Sequence, residues 1–148
     1  MNPVFGTAQV VRALRAITPE RLPERDVLVE DGSHLLLTVQ NGDGGWGGAG
    51  GIQSSIEETA LAVEALAAKG NEQAVSRGIN WLVEHSNGGR TFEPAPIGLY
   101  FASLWYSEQL YPMIFVASAL GVVFRVWDHL GEDFGDNIRQ SAIGIQKY

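Results

Sequence analysis

The sequence predicts an all-α chain built from repeated helix pairs, and three observations predict it. Apolar residues recur at three- and four-residue spacing through most of its length, glycine-rich turns separate those runs, and one helix–turn unit returns in degraded form further along. The clearest copy of that unit is Gln40-Asn41-Gly42-Asp43-Gly44-Gly45-Trp46, which reads Gln-x-x-x-Gly-x-Trp after the apolar run Leu35, Leu36, Leu37 and Val39. A glutamine there can bond the open backbone groups of a helix end, and a tryptophan six residues on folds back over it, tying two helices together. Glycines permit the tight reversal because they reach positive φ at little steric cost. Gln40, Gly44 and Trp46 are therefore the expected structural repeat motif.

The second copy is weaker. The run from Gly78 to His85 is followed by Ser86-Asn87-Gly88-Gly89-Arg90-Thr91-Phe92, again paired glycines and then an aromatic. A matching helix precedes each copy, beginning at Thr7-Ala8-Gln9-Val10-Val11 and at Thr59-Ala60-Leu61-Ala62-Val63, and the two threonines lie 52 residues apart. Stacked helix pairs of this kind cannot bury their apolar faces alone.

In chain order, the pattern predicts a helix over about 7–17, and Thr18-Pro19 and Leu22-Pro23 form a connection because proline and the residue before it leave helical geometry. A second helix runs over about 27–39. A third starts at Ser55, where Ser55-x-x-Glu58 is a capping box, and stops at Lys69-Gly70. A fourth spans about 72–85. After Pro94 and Pro96 a fifth covers about 97–109, and a sixth begins with Pro112 as its first residue. Residues 132–148 are weakly periodic, enough for a short last helix. The whole chain, 1–148, reads as a single α-helical repeat domain.

Composition narrows the function. With 148 residues, 45% of them hydrophobic and 18% charged, the chain is more apolar than a solvated helical domain needs, so some apolar surface is expected to face a partner: a missing half of the structure or a second copy. The net charge of −7 and a pI near 4.8 argue against nucleic acid, which requires basic stripes. The absence of cysteine excludes disulfides, and His34, His85 and His129 lack the paired spacing of a metal site. No metal and no cofactor is expected. The N-terminus has neither the basic nor the apolar region of a signal peptide. The stretch Met113 to Phe124, interrupted by Ser118 and Gly121, falls short of the roughly 20 residues of a spanning helix and reads as a buried helix.

Two features invite over-reading. Gly42-x-Gly44-x-x-Gly47 matches a dinucleotide fingerprint in letters, but it follows a helix where that motif requires a strand. Glu57 and Glu58 would serve as paired acid–base carboxylates, yet acids in a first helical turn are what the macrodipole favours, so Ser55 and Glu58 are read as a helix cap.

Taken together, Asn2-Pro3-Val4-Phe5-Gly6-Thr7, the Val39-Gln40-Asn41-Gly42-Asp43-Gly44-Gly45-Trp46-Gly47 segment, Thr59-Ala60, Pro96-Ile97-Gly98-Leu99-Tyr100-Phe101, Leu110-Tyr111-Pro112 and Ala119-Leu120-Gly121 resemble, in order, the class II triterpene cyclases, of which squalene–hopene cyclase is the bacterial member. The resemblance implies a partial α/α-barrel (α/α toroid) of helical hairpins, corresponding to the C-terminal portion of such a cyclase. It implies, for the intact enzyme, acid-initiated polycyclisation of a linear, squalene-like triterpene, and a cytoplasmic protein resting on the inner face of the membrane. The family's acid is an Asp-x-Asp-Asp motif upstream of the matched part. No such tetrad occurs among the aspartates of this chain, so no catalytic residue is assigned and the chain alone is expected to be inactive. Two other users of the α/α-barrel, the zinc-holding prenyltransferase β subunits and the complement-type thioester domains, need a cysteine that is missing here. The alternative from a different class is a non-catalytic repeat module that binds a lipid or a protein.

Seven of the 14 aromatic residues fall between Phe92 and Phe115, with Phe101 and Trp105 four apart on one expected helix face. Aromatic faces shelter carbocations through their quadrupoles without offering a nucleophile, while aromatic stripes at helical spacing also build plain core. Both readings stand on spacing alone. With the resemblance, Phe5, Tyr100, Phe101 and Trp105 become the substrate-cavity candidates.

Overall fold

The computed structural model describes residues 2–68, 71–94, 97–98, 105–106 and 110–128, with the backbone alone at 97–98 and 105–106. Helix α1 (Pro3–Arg15) begins four residues before the apolar pattern does, because Asn2 caps it: its Oδ1 accepts from the Phe5 amide at 2.9 Å, and Pro3 occupies the first helical turn. Helix α2 (Arg25–Thr38) starts slightly earlier than expected. Helix α3 (Ile56–Leu66) is capped by Ser55, whose Oγ accepts from the Glu58 amide at 3.2 Å, and it ends before Lys69-Gly70. Helix α4 (Glu72–His85) follows.

The expected fifth helix over 97–109 is corrected. Strands β1 (Ile97–Gly98) and β2 (Trp105–Tyr106) pair antiparallel, Ile97 opposite Tyr106 and Gly98 opposite Trp105. Aromatic and β-branched residues favour such pairing, and a four-residue aromatic spacing does not by itself demand a helix. Helix α5 (Leu110–Asp128) starts two residues ahead of Pro112, which sits in the first turn, where its missing N–H had no partner to lose. The expected helix over 132–148 lies outside the described residues.

Among the described residues, α1, α3 and α5 pack side by side, with α2 against α1 and α4 against α3. The inner three run parallel. Asn2 at the start of α1 donates to Glu58 at the start of α3 at 2.6 Å, and further along Arg12 pairs with Glu64 at 2.7 Å. Arg12 and Glu64 are 52 residues apart, the repeat period, so equivalent positions of successive repeats touch. The partner α2 runs back the other way: Arg25 at its start donates to the Leu14 and Arg15 carbonyls at the end of α1. Helix α3 is buried along all 11 residues, as a helix enclosed on every side must be.

Helix α5 corrects the expectation of a short buried helix. It is 19 residues long, by length and composition sufficient to cross a membrane, and only 28% of that apolar window is buried. A stripe of Pro112, Val116, Ala119, Val123 and Trp127 faces the core, while Leu110, Met113, Ile114 and Phe124 are exposed.

The Gln–Trp turn divides its work differently from the expected pattern. Gln40 Nε2 donates to the Gly44 carbonyl at 2.8 Å and reaches forward to the Ala74 carbonyl of α4 at 3.0 Å, while its Oε1 accepts from Arg77. It is Trp46 that serves α2, donating its indole N–H to the Leu36 carbonyl at 2.7 Å. Asp43 closes the turn, accepting from the Gly45 amide, the Ser54 hydroxyl and, through Oδ2, the Trp81 indole N–H at 3.0 Å; His85 stacks on Trp81 with centroids 3.9 Å apart.

These contacts set a pH dependence. Partial burial raises the Asp43 pKa, but the hydrogen bonds from Gly45, Ser54 and Trp81 and the charge of His85 outweigh it, and the carboxyl is held below its ordinary value. A depressed folded pKa contributes stability that is complete above the unfolded value, about 4, and is lost as pH falls through the folded one. Asp43→Asn should therefore flatten the fall in melting temperature on acidification below about pH 4. Parallel acid limbs in parent and variant would remove Asp43 from that role.

Candidate functional site

At the N-terminal ends of the inner helices the structure assembles an open aromatic cluster. Phe5 is placed by the Asn2 cap, by the Asn2–Glu58 hydrogen bond and by the Val4 amide, which donates to the Gly48 carbonyl at 3.3 Å. These bonds fix the start of α1 against both α3 and the glycine turn. Phe5 then meets Phe115 of α5 edge to face, centroids 6.5 Å apart at 71°, and Phe115 meets Tyr111 at 5.8 Å. Phe5 and Tyr111 remain 38% and 40% exposed, so the rings border solvent instead of filling the core.

The rings differ from the predicted set. Of the candidates Phe5, Tyr100, Phe101 and Trp105, Phe5 stands in the cluster; Tyr100 and Phe101 lie outside the described residues, and Trp105 belongs by its backbone to β2, not to a helix shared with Phe101. Tyr111 and Phe115 join Phe5 instead. Their signal was present, a four-residue spacing on a helix begun near a proline, but only the packing of α5 against the inner row brings them to α1.

Chemically, the cluster offers quadrupolar faces, and the one heteroatom its three rings carry is the Tyr111 hydroxyl. The adjacent carboxylate is committed elsewhere: Glu58 accepts from Asn2 through Oε1 and from the Ser55 hydroxyl through Oε2, while the Ser55 amide, which a full capping box would give to Glu58, donates to the Trp46 carbonyl. Glu57 is buried at the same helix start. Among the described residues no group of three or more His, Asp or Glu could hold a metal ion.

Parallel inner helices, two of them (α1 and α3) backed by an outer helix and the two hairpins joined by a Gln–Trp turn, define an α/α-barrel type of helical-hairpin repeat. The chain belongs to the squalene-hopene cyclase C-terminal domain family, whose model matches residues 1–125. It is similar to the squalene–hopene cyclase of Zymomonas mobilis subsp. mobilis, 33% identical over an alignment of 100 positions that covers 59% of this chain. The chain spans 15% of that relative's length. No solved structure matches it.

Proposed function

We propose that this chain forms part of the cavity wall of a cation-driven triterpene cyclase and is inactive alone. The observation that carries the reading is the edge-to-face contact of Phe5 with Phe115 at the open ends of α1 and α5. Rings half in solvent are poor core but suitable lining for a channel whose opposite wall comes from other helices. A carbocation passing them would be stabilised by their faces. Tyr100, Phe101 and Trp105 join that wall in this reading. The substrate is a linear, squalene-like triterpene, and the acid that protonates it comes from chain beyond the matched segment. The exposed apolar residues of α5 would then be covered by the remaining barrel, or by a second copy, with the assembly cytoplasmic and resting on the membrane.

The test has two arms. The isolated chain incubated with squalene should yield no cyclic product, because none of its aspartates forms the family's acid motif. In a full-length homologue bearing that motif, Tyr100→Leu, which keeps much of the bulk and loses the quadrupole, should fold normally and release prematurely terminated ring products. Cyclic product from the isolated chain would overturn the assignment of the acid to another segment. An unchanged product profile in the folded variant would remove Tyr100 from the wall.

A further inference from the structure

At the opposite end of the inner row, the C-terminal halves of α1, α3 and α5 and the start of α2 line an open cleft of about 630 Å³, within the size range of small-molecule sites. Its lining is chemically divided. Arg12, Arg15 and Arg25 bring three positive charges against the single carboxylate of Glu64, and Val29 of α2 with Val122 and Val126 of α5 bring apolar wall. This concentration of guanidinium groups sits in a chain whose net charge is −7.

Two of the three arginines are structurally engaged. Arg12 donates to Glu64 Oε1 at 2.7 Å and to Gln9 at 2.6 Å. Arg25 caps α1 through the Leu14 and Arg15 carbonyls and pairs with the exposed Asp26. Such capping by a cation is favourable at a helix C-terminus. Arg15 is different: among the described residues its guanidinium has no acceptor and no carboxylate partner. Burial first, and the Arg25 charge second, hold its pKa below the usual arginine range, yet arginine stays protonated in proteins. Glu64 does not relieve it, because Oε1 serves Arg12 and Oε2 is buried without a hydrogen-bond donor. Half-burying Arg15 beside a second cation, with no carboxylate paired to it, is costly, and a ligand anion would lower that cost.

We infer that this cleft binds an alkyl phosphate monoester, its oxyanion hydrogen-bonded by Arg15 and further held by the charge of the neighbouring Arg25, and its chain along Val122 and Val126. The class follows from charge and shape. A phosphate monoester carries between one and two negative charges at neutral pH and spreads them over three oxygens, which suits two adjacent guanidiniums better than a single carboxylate does. The apolar wall has use only for a ligand with a hydrocarbon portion.

Isothermal titration of the full 148-residue chain separates the parts of this proposal. Hexyl phosphate should bind at least about tenfold tighter than methyl phosphate, since burying even two or three methylenes is worth that factor. It should also bind tighter than hexanoate, and hexyltrimethylammonium should not bind. Arg15→Gln should weaken hexyl phosphate about tenfold or more, with Arg15→Lys retaining more affinity than Gln; without ligand neither variant should melt below the parent, and Gln, which removes the half-buried charge, should melt at or above it. Vesicles of phosphatidylcholine with phosphatidic acid that displace hexyl phosphate would give a bilayer headgroup as the source, and plain competition only by soluble esters would give a free metabolite. Equal affinity for methyl and hexyl phosphate, no binding of either, or unaltered binding in Arg15→Gln would overturn the site. None of these outcomes depends on cyclase activity.

Discussion

Trp46→Ala should lower the stability of this chain by about 3–5 kcal/mol, a fall in melting temperature on the order of 10 °C for a domain of this size. Trp46 is fully buried, the largest such side chain among the described residues. Three elements meet on it. Its indole N–H takes the Leu36 carbonyl in the last turn of α2; its amide donates to the Thr59 hydroxyl at 2.9 Å and its carbonyl accepts from the Ser55 amide at 2.9 Å, at the start of α3. Its ring lies so close to α4 that a methyl group on Gly78 would come within 2.8 Å of it. Alanine keeps the backbone bonds but leaves a cavity between three helices and strands the Leu36 carbonyl, and both terms have the same sign. Trp46→Phe separates them: it fills most of the volume and loses only the indole donor, so it should cost about 1–2 kcal/mol. Thermal melts of the two variants measure this directly. A Trp46→Ala protein melting with the parent would show that the turn does not hold the helices together.

What the sequence makes legible here is local. The Ser55-x-x-Glu58 box marks the start of α3 because cap and helix are neighbours in the chain, and the Gln-x-x-x-Gly-x-Trp unit marks a turn because glycines report backbone geometry directly. Asn2-Pro3 carries a start signal for α1 of the same local kind, an N-cap followed by proline in the first turn, whereas the apolar pattern alone points to residue 7. Side-chain partners across the repeat are of another order. Nothing in the letters says that Gln40 reaches Ala74 and not its own helix, or that Arg12 meets Glu64; those pairings exist because successive inner helices pack parallel and in register.

The aromatic segment shows the limit most clearly. Phe101 and Trp105 are four apart, which fits one helix face, but aromatic residues also have strand propensity, and the backbone at 97–98 pairs antiparallel with that at 105–106 instead. Spacing without a stated period is ambiguous over so short a run. The Phe5–Phe115 contact was illegible for a different reason. Those residues are more than a hundred positions apart, and only α3, buried on every side, fixes the distance between the helices that carry them.

Gly47→Ala should destabilise the chain by about 3 kcal/mol or more, although it adds a single methyl group to a loop. The methyl would stand 2.4 Å from the carbonyl oxygens of both Ile52 and Gln53 and 2.9 Å from the Ile52 carbonyl carbon. All three are backbone atoms, so no rotamer change can relieve the overlap. The loop must open, and what it opens is the route from Trp46 to the α3 cap: the Ser55 amide to Trp46 carbonyl bond and the Asn41 side-chain bonds to the Ile52 carbonyl at 2.7 Å and to Ser54 at 3.0 Å. Gly47 does not hold positive φ, so the effect is one of space and not of backbone preference. Gly42→Ala supplies the contrast within the same turn. Nothing lies within 4 Å of its would-be methyl, and its φ is ordinary, so this change should stay within about 0.5 kcal/mol of the parent and even gain slightly from a stiffer unfolded chain. Denaturant titrations of the two variants side by side test the close passage itself. Equal midpoints for Gly42→Ala and Gly47→Ala would mean that the backbone of residues 52–53 does not run against residue 47, and the turn that joins α2 to α3 would have to be drawn differently.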